Sequence, residues 1–198
     1  MKIGIFGGSF NPIHNGHIYL AKTVMSELKL DKVIFVPSRI PPHKSGKEYI
    51  SGKDRLEMVR LAIRNNPCFE VSDYELSNDR TGYSIYTVVH FRKLYPNDLL
   101  YLMIGSDMLL SFDTWFEFEK IMQNVTVAAV SRCKGDNLLL IKKADELSKY
   151  GKVIVCNADA YPVSSTEIRK KIRKKENWSC YLDGSVVQYI RLGSFYDE

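Results

Sequence analysis

The sequence predicts an α/β fold: a doubly wound parallel sheet with helices on both faces, built as one domain over residues 1–198. Three observations predict it. Short apolar, β-branched runs alternate along the chain with segments of helical period, the βαβα order of a parallel sheet covered by helices. A glycine-rich turn joins the first apolar run directly to the first helical segment. The 198 residues hold no internal repeat, low-complexity segment or linker and are enough for one sizeable core. This is a Rossmann-like arrangement.

Taken in order, Lys2–Phe6 reads as a strand, Gly16–Lys29 as a helix and Lys32–Pro37 as a strand. Residues Ser38–Ile50 form a loop around Pro41-Pro42. Ser51–Asn65 is a helix opened by a capping box from Ser51 to Asp54, with the shorter acid in place of Glu. Cys68–Ser72 is a strand, Tyr83–Leu94 a helix and Asp98–Ile104 a strand. Trp115–Met122 reads as a short helix, Val125–Ser131 as a strand, Leu138–Tyr150 as a helix and Lys152–Cys156 as a strand. Helices at Ser165–Lys175 and Ser185–Leu192 follow.

Composition narrows the function. Apolar content of 45% and charged content of 26% are ordinary for a soluble domain. No apolar stretch reaches membrane-spanning length, and Met1–Phe6 is too short for a signal peptide. The scattered Cys68, Cys133, Cys156 and Cys180 form no C-x-x-C pair, so neither zinc nor a redox motif is suggested, and reduced thiols in the cytoplasm are expected. The net charge of +5 suits an anionic partner, either nucleic acid or a phosphorylated metabolite. The densest basic run, Arg169–Lys175, carries Ile168 and Ile172 at helical core spacing, so its lysines read as a solvated face. No aromatics interleave with them as base stacking requires, so nucleic acid is not expected.

The chemistry concentrates at Gly7-Gly8-Ser9-Phe10-Asn11-Pro12-Ile13-His14-Asn15-Gly16-His17. Glycine allows φ > 0 and close approach of the backbone to a ligand. The helix N-terminus that follows offers N–H groups and a positive dipole end. His14 and His17, three residues apart, face the same way on one helical turn. These parts describe a polyphosphate site that is neither a Walker loop nor a G-x-G-x-x-G fingerprint. In doubly wound sheets, ligands lie beyond the carboxyl ends of the strands, where strand order reverses. That places Gly105-Ser106-Asp107 after the fourth strand near the first loop; Asp107 either binds ribose hydroxyls or caps the following helix. Ser164-Ser165-Thr166 precedes another helix, as caps or as phosphate ligands, with Arg169 on its first turn.

The first motif, with Ser164-Ser165-Thr166-x-Ile168-Arg169, resembles the nucleotidyltransferase superfamily of H-x-G-H and I-S-S-T-x-x-R motifs. Pro41-Pro42-His43-Lys44, Tyr83-Ser84-Ile85-x-Thr87, Gly105-x-Asp107-Met108, Trp115, Arg132 and Val187-x-Tyr189-Ile190 are similar to the bacterial nicotinate-nucleotide adenylyltransferases within it. The resemblance covers nearly the whole chain. It implies that ATP and nicotinate mononucleotide give nicotinate adenine dinucleotide and pyrophosphate, the adenylyl transfer of NAD biosynthesis, with Mg²⁺ delivered on the triphosphate and no metal held by the protein itself.

The same resemblance assigns roles. His14, His17 and Arg169 are the catalytic set, with His17 the more critical. Gly7, Gly8, Ser9, Phe10, Gly16, Lys44, Gly105, Asp107, Ser165 and Thr166 bind ATP. Ser84, Trp115, Phe116 and Arg132 bind nicotinate mononucleotide, Trp115 stacking on the pyridine ring. Read from the residues alone, Trp115 is rather a core anchor beside Phe112, Phe116 and Phe118. The chain departs from the family at Asn11, where Asp is usual and a negative charge is lost, at Ser84 for Thr, and at Tyr86 for Asp. A 5′-phosphate with a second pKa near about 6 is already ionised at neutral pH, so no general base is required for in-line attack on the α-phosphorus. The rivals are a phosphopantetheine adenylyltransferase, an enzyme preferring the amide mononucleotide, and a non-catalytic nucleotide-binding regulator. Assembly as a homo-oligomer is left open.

Overall fold

The computed structural model describes residues 1–39, 49–78, 82–131, 137–158 and 161–197. Six strands form one sheet in the order β3-β2-β1-β4-β5-β6. They are β1 (Lys2–Gly8), β2 (Lys32–Pro37), β3 (Phe69–Val71), β4 (Leu99–Gly105), β5 (Thr126–Ser131) and β6 (Val153–Asn157). The chain runs outward from β1 to β3, then returns to β4 on the other side of β1, so strand order reverses at the β1–β4 pair. That pair is parallel, from Lys2 opposite Leu99 to Phe6 opposite Met103, and β4–β5 and β5–β6 continue in parallel. The inner strands read as apolar runs because both faces are covered, the rule for parallel sheets, while the edge strands β3 and β6 are partly exposed. Ile3, Ile5, Leu100, Met103, Val127 and Ala129 are all buried.

The helices are α1 (Asn15–Leu28), α2 (Gly52–Ile63), α3 (Ser84–Leu94), α4 (Ser106–Leu110), α5 (Phe118–Asn124), α6 (Asn137–Leu147), α7 (Ser165–Arg173) and α8 (Gly184–Leu192). Three of them stop where a non-glycine residue turns left-handed: Lys29 (φ 53°) follows α1, Lys175 (φ 55°) lies two residues past α7 and Ser194 (φ 48°) two past α8. Ser51 caps α2, its Oγ accepting from Asp54 N–H at 3.1 Å and donating to the Asp54 carboxylate at 2.6 Å.

One stretch departs from expectation. Trp115–Met122 is not a helix. A short helix, α4, and a 3₁₀ turn at Phe112–Thr114 come first, Trp115 is extended (φ −73°, ψ 143°), and Glu117 is left-handed (φ 52°) before α5 begins. The aromatic run looks continuous in sequence, but the left-handed residue interrupts it.

By its own contacts the chain falls into two compact units. The first comprises Met1–Gly7, Leu20–Ile34 and Tyr83–Ala160; the second comprises Gly8–Tyr19, Phe35–Gly82 and Tyr161–Glu198. In the second, Phe10, Phe35, Met58, Val59, Ile168 and Val186 are buried. There α8 is tied to α2 by the Tyr189 hydroxyl, which donates to Asp54 Oδ1 at 2.9 Å. Burial and that carboxylate push the Tyr189 phenol up to about 12.

Candidate active site

The second unit carries the loop between β1 and α1. Its glycines do not take φ > 0; among the described residues no glycine does. The left-handed position in the loop belongs to Phe10 (φ 45°), which is buried against Phe35 and sits edge-on to the His17 ring at 5.1 Å. The glycines instead give room. Gly7 is exposed, and a Cβ there would meet nothing within 4 Å. At Gly16 a Cβ would lie 2.9 Å from His14 Nδ1 and 2.9 Å from Tyr161 Cδ1, so only glycine lets the His14 ring occupy its place.

The two histidines do face the same way. Their ring centroids are 3.8 Å apart at 34°. His14 is buried just ahead of α1, its carbonyl accepting from His17 N–H at 2.9 Å. Its own N–H donates to His17 Nδ1 at 3.2 Å. With Nδ1 accepting, the neutral His17 ring carries its proton on Nε2 and presents that edge as a donor. His17 is half-buried.

The carbonyls of this loop are taken up by donors from distant elements. Gly8 O accepts from Ser38 N–H at 2.8 Å, and Ser9 O from Arg55 Nη1 at 2.7 Å. Asn11 O accepts from Arg169 Nη1 at 2.8 Å, and Pro12 O from Ser165 Oγ at 2.9 Å. An anion is repelled by carbonyl oxygens and held by N–H groups, so occupying the acceptors prepares the loop for a phosphate. Ser165 and Arg169, expected as phosphate ligands, are found bracing the backbone of the loop. Arg169 is buried, and its Nη2 lies 3.4 Å from Thr166 Oγ1, an exposed hydroxyl on the first turn of α7. Ser164 and Glu167 close a full capping box that holds that turn. Hydrogen bonds from Ser164 keep the Glu167 carboxyl below the usual glutamate range.

Asn11 is more than a missing charge. Its side-chain Oδ1 accepts from the Tyr196 hydroxyl at 2.8 Å and from Ile50 N–H at 3.4 Å, and the residue is buried. Sequence reasoning did not find Tyr196 or Arg55. Arg55 left one trace: it falls in phase with Val59 and Ile63 on the buried face of α2, where a charge has no reason to be unless it is bonded. Burial draws its pKa below the ordinary arginine value, opposed by Tyr196, Tyr49 and Glu75.

The first unit carries the other predicted residues. Gly105 ends β4 and is the N-cap of α4, so Asp107 is not a cap; it stands exposed on the first turn. Ser84 begins α3, half-buried at a helix N-terminus that lacks a side-chain cap. Trp115 is half-buried and leans on the fully buried Phe112 at 5.0 Å, 39°. Phe112 is fully buried, whereas Trp115 is only partly so. Trp115 N–H donates to Phe112 O at 3.0 Å and so cannot receive a carboxylate. Phe116 is 46% exposed and pairs with Tyr83 at 4.7 Å. Lys44 and Arg132 lie outside the described residues.

A cytidylyltransferase-like family model matches residues 5–171. The chain is similar to the probable nicotinate-nucleotide adenylyltransferase of Carboxydothermus hydrogenoformans, 38% identical over 98% of each chain. The corresponding Clostridium tetani protein is 42% identical over 89% of each. The nicotinate-nucleotide adenylyltransferase of Bacillus subtilis is 31% identical, over 100% of this chain and 99% of that one. Among solved structures, Plasmodium falciparum nicotinic acid mononucleotide adenylyltransferase complexed with NaAD has the same fold (TM-score 0.80, 23% identity, 99% and 97% of the two chains).

Proposed function

We propose that this chain, which belongs to the nicotinate-nucleotide adenylyltransferase family, transfers the adenylyl group of ATP to nicotinate mononucleotide, giving nicotinate adenine dinucleotide and pyrophosphate. The observation that carries the reading is the loop between β1 and α1. The carbonyls of Gly8, Ser9, Asn11 and Pro12 are occupied by donors from distant elements, and His17, accepting at Nδ1, has Nε2 as its donor. Such a surface recognises a polyphosphate.

The acceptor 5′-phosphate attacks the α-phosphorus of ATP in line, and pyrophosphate leaves from the opposite side. With an ionised phosphate as nucleophile, the protein's work is positioning and charge stabilisation. His17 Nε2–H donates to the transferring phosphoryl group. His14, tilted against His17 and fixed by the space at Gly16, holds that ring in place. Gly7, Gly8, Ser9, Phe10 and Gly16 form the floor under the phosphates. Thr166 and Arg169 serve the β and γ end, with Lys44 as a further phosphate ligand. Gly105 and Asp107 serve the ribose.

Trp115 offers its ring to the pyridinium ring, an attractive pairing of cation and π system. Phe116 N–H is the amide left for the nicotinate carboxylate, with Ser84 and Arg132 completing that subsite. Magnesium enters as part of Mg·ATP and neutralises phosphate charge. The donors present, imidazole, guanidinium and amide, suit phosphate oxygens, and a hard dication prefers carboxylates. Among the described residues no group of three or more His, Cys, Asp or Glu is placed to hold a metal. No described helix is long and apolar enough to cross a membrane, and we place the enzyme in the cytoplasm.

Mass analysis of products tests this, after incubation with Mg·ATP and nicotinate mononucleotide, its amide, or phosphopantetheine. The adduct with nicotinate mononucleotide is expected to dominate. Conversion of phosphopantetheine alone reassigns the acceptor, and no conversion of any acceptor leaves a nucleotide-binding regulator.

A further inference from the structure

Tyr196 stands out among residues with no role so far. It lies past α8, in a tail where Ser194 (φ 48°) and Tyr196 (φ 72°) are both left-handed without being glycine. Such conformations are sparsely populated for side-chain-bearing residues and persist only where the surroundings enforce them. Here they bury an aromatic ring to 9% exposure and deliver its hydroxyl to Asn11 Oδ1 at 2.8 Å. Phe195, between the two, rests on Tyr189 at 5.6 Å, and Tyr189 is tied to α2 through Asp54. The tail is thus set by α2 and α8.

What the hydroxyl grips decides its use. Asn11 is the hub of the loop: its backbone carbonyl takes Arg169 Nη1, and its side chain takes Tyr196. The two Asn11 oxygens are joined by a few bonds, so fixing one limits where the other sits. Both Arg169 and Arg55 lie close enough to act on the Tyr196 phenol, and they favour its ionised form. Burial outweighs them and raises its pKa, so at neutral pH the group remains a donor and Asn11 Oδ1 its acceptor.

We propose that Tyr196 is a positioning residue for adenylyl transfer: its hydroxyl, through Asn11, sets the Arg169 guanidinium and the loop that receives the triphosphate. The proposal rests on the adenylyl-transfer reading above. Asn in place of the family's usual Asp keeps the acceptor, so the departure at Asn11 leaves this link intact.

The test is a double-mutant cycle. Tyr196→Phe keeps the buried ring and removes the hydroxyl. Pyrophosphate release is measured under steady state for the parent, Tyr196→Phe, Arg169→Lys and the double variant, with melting temperatures alongside. Expected for Tyr196→Phe is a fall in kcat/KM for Mg·ATP of about tenfold to a hundredfold, the scale of a displaced catalytic group, with KM for nicotinate mononucleotide unchanged. In the Arg169→Lys background the same change should cost less than about threefold, because the two act through one path.

Parental activity in Tyr196→Phe overturns the proposal. So does a double variant whose loss equals the product of the single losses. If Tyr196→Phe is unfolded at the assay temperature, Asn11→Leu replaces it, matching the shape without the acceptor. It should lose as much as expected for Tyr196→Phe, while Asn11→Asp, which keeps the acceptor, stays within about threefold of the parent. A fully active Leu variant overturns the proposal. Absence of pyrophosphate from the parent with any acceptor instead overturns the adenylyl-transfer reading, a separate result.

Discussion

Gly16→Ala sets two effects of opposite sign against each other. Within a helix alanine is favoured over glycine by about 0.8–1 kcal/mol, so propensity alone raises stability. At this position the new methyl would sit 2.9 Å from His14 Nδ1, 3.0 Å from His14 Cε1 and 2.9 Å from Tyr161 Cδ1. Ordinary contact begins near 3.4 Å, so both rings must give by about half an ångström. Overpacking of this kind costs about 1–3 kcal/mol. The net expectation is a small destabilisation, up to about 2 kcal/mol.

Activity should suffer more than stability. The His14 ring lies tilted against His17 with centroids 3.8 Å apart, so the displaced ring carries His17 with it. A misplacement of about 1 Å costs roughly a hundredfold, and half of that roughly tenfold in kcat. Pyrophosphate release measures kcat, and calorimetry measures the melting temperature. A Gly16→Ala protein that melts higher and turns over at the parental rate would refute the reasoning, because His14 would then not need its place.

His17→Ala should lower kcat by at least about a hundredfold, the scale of losing one oriented donor; a folded variant with near-normal kcat removes His17 from the mechanism. Trp115→Ala should weaken nicotinate mononucleotide by roughly 1–2 kcal/mol in calorimetric titration and leave ATP binding unchanged. Equal weakening of both ligands, or a lower melting temperature alone, would make Trp115 a packing residue on Phe112. Glu167→Gln probes the capping box of α7. Because the folded carboxyl titrates below its ordinary range, its contribution is present above the unfolded pKa and is lost as pH falls through the folded one. The variant should melt lower than the parent at pH 7 and converge with it near pH 3; a constant difference across that range contradicts the assignment.

The parts legible in sequence are those with a local cause. The inner strands are apolar runs buried on both faces, and each expected strand lies within two residues of its observed bounds. The closeness of His14 to His17 and the capped start of α7 depend on neighbours in the chain and are legible there, whereas the left-handed residue of the turn to α1 is Phe10 and not a glycine. Glu117 was not legible either, because nothing in a run of aromatic and acidic residues announces a left-handed turn. Nor could the residues behind the loop be found that way. Arg55 reaches Ser9 across 46 positions and Tyr196 reaches Asn11 across 185, and no periodicity encodes such a contact. Asn11 itself was visible only as a lost charge. Its use as an acceptor appears once the tyrosine is seen beside it.

The separations across which the loop is braced have a consequence for synthesis. Residues 8–17 leave the ribosome early. Two of the donors that hold their carbonyls come much later, Ser165 153 positions after Pro12 and Arg169 158 after Asn11. At about 5–20 residues per second, roughly ten to thirty seconds pass between the making of the phosphate loop and the arrival of its supports. During that interval the nascent chain carries its histidines without the frame that aims them. A ribosome that stops between β6 and α7 releases a chain with every strand of its sheet but without Ser165, Arg169 or Tyr196 to brace the loop, so turnover is among the last properties this polypeptide acquires.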